Sequence, residues 1–251
     1  MPSDDLFVYS LALADDALIL GQRLTEWVSN APTLEEELAL ANVALDHIGR
    51  ARMFYGHAAQ LVDDGRGEDD LAFGRDCREF TNLLINELPR GDFAFTMVRQ
   101  FFVDAFNVPF LTALVQSREP TLAAIGAKAV KESTYHLRRS RDWMLRLGDG
   151  SAESHVRTQR AVDELWGYTP ELFEPFAAEV RLAQAGLVPD RDALKKCWRS
   201  TVDAAFAEAT LACPTAAWSV RGGRDGVHTE HLGHLLAQMQ FMQRTYPGQQ
   251  W

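Results

Sequence analysis

The chain has 251 residues, of which 47% are hydrophobic, enough for one large domain with a substantial core. Its formal net charge of -10 argues against binding to nucleic acid or to anionic membrane surfaces, because both are negatively charged. Cys77, Cys197 and Cys213 lie far apart and form no CxxC pair, so we expect a reducing, cytoplasmic compartment and no zinc or thiol site.

The amino-terminal segment predicts neither a signal peptide nor a membrane span. It has no basic start, and acidic residues interrupt its apolar part, so we interpret residues 3–29 as the first helix. The most apolar later run, from Phe93 to Val115, carries Arg99 and Asp104 near its middle. A lipid-facing helix would not hold both charges without a protected partner, so this run is predicted to be a buried core helix.

The second predicted helix, residues 33 to about 61, is the segment around which the chain is organised. Thr33 and Glu36 form a capping-box pattern at its start. Apolar residues point to every side of it, which is typical of a helix buried among others: Leu38, Leu40, Val43, Leu45 and Ile48. Asp46 and Gly49 nevertheless share one polar stripe, and a buried carboxylate needs a metal, a cation or a hydrogen-bond network.

Helix signals continue to the end of the chain, and strand signals are nearly absent. A polar loop, DDGRGEDD, follows the second helix, and Pro109 is expected to kink or end the third long helix. Asp92 and Pro120 are predicted to begin the third and fourth long helices. The predicted later helices are Asp76–Leu88, Phe93–Ser117, Thr121–Leu147, Ser151–Trp166, Thr169–Gln184, Asp190–Leu211 and Thr229–Thr245. This order predicts an all-α long-helix bundle in one domain, 1–251, with its core at about 5–148 and additional helices at about 151–251.

Four chemistry-bearing residues are predicted to face the middle of this bundle: Asp46, Asp104, Glu132 and His136. Carboxylates and imidazoles that converge between helices are the ligands of di-iron and di-manganese sites. The first helix would add Asp16 or Gln22. The pattern is incomplete, because Gly49 stands where a Glu-x-x-His motif would place its histidine. The spacing from Glu132 to His136 is also one residue too long.

Each of these residues has a structural alternative that the spacing leaves open. Charged or amide side chains within about two helical turns would pair with the three acids, and His136 would be a hydrogen-bonded core histidine. The alternative partners are Arg50 for Asp46, Arg99 and Asn107 for Asp104, and Lys128 or Arg139 for Glu132.

A second cluster lies at the start of the last helix and comprises His228, Glu230, His231 and His234. Two of its histidines share a face, so a mononuclear metal site is one interpretation. We favour a helix start in which Thr229 is the cap and Glu230 lies at the positive end of the helix dipole. The preceding loop, 216–227, lacks the strand–glycine–helix context of a phosphate loop. Its arginines, Arg221 and Arg224, remain candidates for binding an anion or a partner's carboxylate.

Several runs resemble one protein family, in the same order and from about Leu11 to Trp251. These runs are LGQRLTEW, APTLEEELALANVALDHIGRAR, REFTNLLINELPRGDFAFT, KESTYHLRRSRDWMLRLGDG, DELWGYTPELFEP and GVHTEHLGHLLAQMQFMQRTYPG. They are similar to the C-subunit family of the bacterial phenylacetyl-CoA monooxygenase (epoxidase) complex.

The resemblance implies a ferritin-like fold and a place in the multisubunit enzyme that epoxidises the aromatic ring of phenylacetyl-CoA during aerobic phenylacetate degradation. It implies that the sibling A subunit holds the di-iron site and that a reductase with flavin and iron–sulfur centres supplies electrons from NADPH. The C subunit would be structural, pairing with the A subunit in a heteromer with homodimeric contacts and contacting the other subunits.

The same resemblance implies no metal or cofactor in this chain. Asp46, Gly49, Asp104, Glu132 and His136 would then be vestigial ligand positions, with protonation or ion pairs replacing the positive charge of the metal. Two alternatives stay open, a self-sufficient carboxylate-bridged di-metal oxidase and a general helical interaction protein.

Overall fold

The computed structural model describes residues 2–62, 64–215 and 218–249, and these contain helices and no strand. The α-helices are α1 (Pro2–Thr25), α2 (Leu34–Val62), α3 (Glu68–Phe73), α4 (Leu84–Glu87), α5 (Phe93–Leu114), α6 (Pro120–Gly148), α7 (Ala152–Trp166), α8 (Ala177–Gln184), α9 (Arg191–Glu208), α10 (Glu230–Met239) and α11 (Phe241–Thr245). Short 3-10 helices occupy Cys77–Glu79, Thr169–Phe173 and Gly223–Asp225. The predicted all-α fold is confirmed.

The four long helices form two pairs, α1 with α2 and α5 with α6, and α2 also contacts α6. Helices α7 and α9 cover α5, while α8 covers α1. Nearly every residue of α5 from Ala94 to Phe106 is buried. Both α1 and α5 therefore lie at the centre of the bundle. None of the helices that the structure describes combines the length and apolar character needed to cross a membrane.

The prediction that α2 is buried on all sides is wrong. Its inner face is buried, but Leu38 and Leu45 are 58% and 63% exposed, and Leu34 at its start is 67% exposed. Apolar residues therefore cover both the core side and the solvent side of α2. Periodicity alone does not distinguish these two environments.

Most predicted helix starts are confirmed. The Asp92 carboxylate accepts a hydrogen bond from the Phe95 backbone N–H at 2.8 Å, and Pro120 occupies the first turn of α6. The Thr33 hydroxyl accepts from the Glu36 N–H at 3.4 Å. Glu36 turns away from this capping box, because its carboxylate accepts from Trp143 Nε1 at 3.0 Å on α6. The Thr33 half of the capping box therefore forms, whereas the Glu36 carboxylate bonds Trp143 of another helix instead.

Four segments differ from the prediction. The expected helix Asp76–Leu88 is a 3-10 turn followed by the single turn of α4, and the polar loop after α2 contains the start of α3. The expected helix Thr169–Gln184 is a 3-10 helix and α8, separated by residues 174–176. The last helix breaks at Gln240. Pro109 does not end the third long helix, since α5 continues to Leu114. Asp63, Ala216, Ala217 and Trp251, named in these predictions or in the resemblance, lie outside the described residues.

Candidate functional site

Three long helices bring His47, Asp104 and His136 together in the bundle core. One potential ligand atom from each lies within 4.8 Å of the others, and all three residues are buried. The rings of the two histidines are 5.4 Å apart between centroids. Among the described residues, this is the one group of three or more possible ligands that converges in this way. We call these three residues the core cluster.

His136 is held by Asp46, whose Oδ2 lies 2.9 Å from His136 Nε2. An ionised carboxylate only accepts hydrogen bonds, so Nε2 is the donor and Nδ1 is left as an acceptor. Burial lowers the pKa of His136 to about 4, and the attraction of Asp46 offsets this only in part. Burial and the nearby Arg50 also hold the pKa of His47 well below its ordinary value. Both imidazoles are therefore neutral at neutral pH.

Asp104 accepts a hydrogen bond from the Ser140 hydroxyl at 2.8 Å through Oδ2. Its other oxygen, Oδ1, has no hydrogen-bond partner in the described part of the chain. Burial raises the pKa of Asp104 to about 7, although Ser140, Arg50 and Arg139 all act in the opposite direction. The carboxyl group is therefore divided between its neutral and ionised forms near neutral pH.

Arg50 brings a permanent positive charge to the same part of the core. Its side chain is buried, and Nη2 donates to the Ser133 hydroxyl at 2.7 Å. The guanidinium is attracted to Glu132, Asp104 and Asp46, which oppose the lowering of its pKa by burial. Several carboxylates from facing helices thus share one internal cation.

Three of the predicted ligand positions, Asp46, Gly49 and Glu132, lie outside the core cluster. Asp46 was expected to be buried, but its side chain is 37% exposed at the edge of the α2–α6 contact. Nothing lies within 4 Å of where a Gly49 side chain would begin, so a histidine there would point into open space. His47, two residues earlier, is the histidine of α2 that faces inward. The sequence signal that could have identified His47 as inward-facing is its place in a row of apolar residues spaced three and four apart: Leu40, Ala44, His47, Ala51, Phe54 and Ala58. Glu132 is partly buried beside Asp46, and burial raises its pKa.

The core cluster does not fit a two-metal centre. It supplies one carboxylate and two imidazoles, whereas such centres use carboxylates from several helices in addition to their histidines. Unpartnered His47 Nε2, Asp104 Oδ1 and His136 Nδ1 would suffice by number for one ion, but the Arg50 guanidinium opposes a further cation there. The internal cavity beside His47 and Arg50 is about 30 Å³, far below the size of a small-molecule binding pocket.

Most of the ion pairs that were predicted as structural alternatives for Asp46, Asp104 and Glu132 do not form. Asp46 pairs with His136 rather than with Arg50, although the Arg50 charge attracts it. Arg99 donates to the Leu88 carbonyl oxygen at 2.6 Å instead of pairing with Asp104. Arg139 pairs with Glu36, leaving Lys128 to attract Glu132. The alternative for His136, a hydrogen-bonded core histidine, agrees with the structure.

The acidic residues of α1 form a separate network that spacing did not predict. Asp15 accepts from the Tyr55 hydroxyl at 2.6 Å and pairs with Arg75. Asp16, a candidate ligand of the sequence, accepts from Arg224 Nη2 at 2.6 Å and from the Leu83 N–H at 2.7 Å. Gln22, the other candidate from this helix, is partly buried.

The histidines near the last helix do not converge on a metal site within the described residues. The His228 side chain is buried, and its two ring nitrogens lie 2.8 Å from Glu87 Oε2 and 2.8 Å from the Phe80 carbonyl oxygen. Glu230 and His234 are exposed, and His231 is partly buried. Thr229 occupies the cap position of α10, but its hydroxyl makes no capping hydrogen bond. The favoured helix-start interpretation therefore agrees in position, and His228 fastens this segment to the bundle.

The two arginines of the preceding loop are used internally. Arg221 pairs with Glu174 at 3.0 Å, and Arg224 pairs with Asp16. Arg224 is therefore buried against a carboxylate of this chain, whereas Arg221 is 65% exposed, and its binding of an anion or of a partner's carboxylate stays a prediction. A protein carboxylate instead occupies the glycine-rich turn, where Glu171 Oε1 accepts from the N–H groups of Gly222 and Gly223 at 3.1 and 2.9 Å.

Comparison with known proteins gives two matches over essentially the whole chain. A family model described as phenylacetic acid catabolic protein matches residues 1–251. The C subunit of the 1,2-phenylacetyl-CoA epoxidase of Escherichia coli (strain K12) is 49% identical over 248 residues, covering 99% of this chain and 100% of that protein. These matches confirm the resemblance found in the sequence.

Proposed function

Because the chain belongs to the phenylacetic acid catabolic protein family, we propose that it is the non-catalytic, structural subunit of a multicomponent phenylacetyl-CoA 1,2-epoxidase. In this role it docks on the di-iron catalytic subunit and supports it. The similarity to the C subunit of the E. coli enzyme, which extends over both chains from end to end, supports membership of such a complex.

The observation that carries the non-catalytic role is the position of Arg50. A guanidinium is a permanent cation without acceptor atoms, and it shares the core with the carboxylates of Asp46, Asp104 and Glu132. Its charge takes the part that a metal ion would play in a ferritin-like bundle. The cavity beside it, about 30 Å³, has no room for an aromatic substrate.

The proposal assigns the cofactors to the partners. Di-iron belongs to the catalytic subunit, and NADPH, flavin and iron–sulfur centres belong to the reductase, with no cofactor in this chain. A cytoplasmic location is part of the proposal, supported by three free cysteines, of which Cys197 and Cys213 are exposed.

The test has two measurements on the purified chain. After loading with ferrous iron and desalting, we expect well under one iron per chain and no oxygen uptake with phenylacetyl-CoA. Co-expression with the catalytic subunit is expected to give a complex that stays together through size-exclusion chromatography at micromolar concentration. Close to two irons per chain with oxygen-dependent turnover would show an oxidase instead. Failure to co-purify would leave the alternative of a helical interaction protein with another partner.

A further inference from the structure

The solvent side of α2 carries a continuous apolar stripe. Leu34, Leu38 and Leu45 are 67%, 58% and 63% exposed, and the smaller Ala41 lies between them on the same side of the helix. We call these four residues the α2 stripe. They follow one another at intervals of four, three and four residues. Ile48, three residues further on, continues the pattern and packs towards Gly21 of α1.

This spacing is that of a helix that packs along another helix. Apolar residues at alternating intervals of three and four form the seam of two helices that cross at about 20°. Inside this chain, α2 contacts α1 mainly through buried residues such as Ala44 and His47, which do not belong to the stripe. Single exposed apolar residues are ordinary, but a row of exposed leucines on one helix marks an interaction surface.

The neighbouring surface of α6 extends the α2 stripe into a face of two helices. Tyr135 of α6 is 46% exposed. Space is open above Gly49, and a groove of about 300 Å³ follows between the two helices, lined in part by Gly56 and Ala124. Small residues at these points allow the backbone or side chains of a partner helix to approach closely.

The charges on this face indicate what kind of partner it takes. Four of the five exposed charged residues of α6 are basic, namely Lys128, Lys131, Arg138 and Arg146, and the fifth is Asp142. On α2, the exposed acid Glu35 lies beside Leu34 at the start of the stripe, and the exposed Arg52 lies beyond its end. The prevailing sign on α6 is opposite to the net charge of -10 of the whole chain. A complementary partner therefore presents an apolar helix face flanked by acidic side chains.

We propose that the α2 stripe, together with the exposed basic side of α6, is the surface on which the catalytic subunit of the complex docks through an apolar, acid-flanked helix. This inference rests on the proposed function and adds the surface and its chemistry to it. Asp46, whose side chain is 37% exposed between α2 and α6, lies at the floor of this face and is covered on docking.

The test compares matched surface variants in a binding measurement with the purified catalytic subunit. Leu38→Glu and Leu45→Glu are each expected to raise the dissociation constant at least about tenfold, because each places a charge in an apolar interface. Val156→Glu is the control, since Val156 is 64% exposed on α7, away from this face. It is expected to change the dissociation constant less than about twofold. Lys131→Glu is expected to weaken binding and to reduce its dependence on salt.

All four side chains are exposed, so each variant is expected to keep the helical circular dichroism and the urea midpoint of the parent chain. If the parent binds the catalytic subunit and both leucine variants bind equally well, this surface is overturned while the proposed function stands. If the parent itself does not bind, the proposed function and this inference fail together. A dimer of the isolated chain that Leu45→Glu dissociates, with binding to the catalytic subunit unchanged, would assign the face to a second copy and overturn the proposal.

Discussion

Asp46 and His136 are joined across the α2–α6 seam at 2.9 Å, yet the pKa of His136 is lowered to about 4. Burial of the imidazole thus outweighs the attraction of the carboxylate. At neutral pH the contact is a hydrogen bond from a neutral histidine to Asp46 and not an ion pair. It ties α2 to α6 without adding a positive charge beside Arg50.

Asp46→Asn is expected to have a small effect on stability and none on chemistry. The amide oxygen still accepts from His136 Nε2, so a hydrogen bond to a charged group becomes a neutral one, at a cost of about 1 kcal/mol. Urea unfolding measures this loss, with Asp142→Asn on the exposed side of α6 as the control. A variant complex that assembles normally but loses turnover at the chemical step would contradict the non-catalytic role of this chain.

Arg50→Met is expected to destabilise the chain in a manner that depends on pH. The change removes the cation that Asp104 faces and the donor that Ser133 accepts from, with a loss of about 2–4 kcal/mol at pH 8. The loss is expected to be smaller at pH 6, where Asp104 is largely protonated because its pKa is about 7.

Arg52→Met is the matched control, because Arg52 lies on the same helix, two residues after Arg50. Arg52 is exposed and bonds Glu68 at 2.7 Å at the surface, so its replacement is expected to leave the urea midpoint nearly unchanged. An Arg50→Met loss of the same size at both pH values would show that the guanidinium acts by packing alone.

His136 is expected to destabilise the chain in acid. Its pKa is about 4 in the folded state and about 6.5 when unfolded, so the unfolded state binds the proton first as the pH falls. The contribution of the neutral, buried His136 to the unfolding free energy is fully present above pH 6.5. It is lost between pH 6.5 and 4, roughly 3 kcal/mol in total. His136→Gln is therefore expected to flatten the dependence of unfolding free energy on pH in this window, measured in urea at half-unit steps.

His234→Gln, on the exposed side of α10, is the control and is expected to leave this pH dependence unchanged. An unchanged slope in His136→Gln would show that the buried imidazole does not control acid stability.

Asp104 is expected to change the unfolding free energy with pH in the direction opposite to His136. Its raised carboxyl pKa stabilises the folded state at low pH, and this contribution is lost as the pH rises through about 7, so Asp104→Asn removes that loss. The variant is expected to be more stable relative to the parent at pH 8 than at pH 5.

Two glycines that face different surroundings are expected to respond in opposite ways to alanine. A Cβ at Gly21 of α1 would lie 3.1 Å from Ile48 Cγ1 and 3.2 Å from the Ala44 carbonyl oxygen, so Gly21→Ala is expected to cost about 1–3 kcal/mol. Nothing lies near Gly49, so Gly49→Ala is expected to stabilise α2 by about 0.5–1 kcal/mol. Thermal unfolding of the isolated chain measures both. A loss at Gly49 would show that this position faces packed structure.

The long helices and their starts followed from the sequence because their signals are local. Asp92, Pro120 and Ser151 act within one turn of their own helices. The prediction of one helix from Asp76 to Leu88 is wrong for the opposite reason, because the short elements there depend on distant contacts. Their backbone is held by distant carboxylates, such as Glu171, which accepts from the Leu84 N–H at 2.8 Å. No local pattern reports a partner 87 residues away.

The core cluster was partly predictable. Asp104 and His136 were identified because polar residues on apolar stripes stand out, whereas His47 was missed on a helix that was predicted to be buried on all sides. The α2 stripe explains why this helix was predicted to be buried all round, because exposed leucines on a docking surface have the same spacing as leucines in a core. Arg50 was considered only as a neighbour of Asp46, since spacing does not show which way a long side chain extends.

The pairing of Asp16 with Arg224 joins the first helix to a residue 208 positions later. His228 and Gln240 likewise reach back to Glu87 and to the Arg75 carbonyl oxygen. A nascent chain therefore carries Asp16 without its arginine partner until the segment around residue 224 has left the ribosome, although Asp15 finds Tyr55 and Arg75 much earlier. We expect emerging chains to stay incompletely closed during most of translation and to depend on chaperones until synthesis ends.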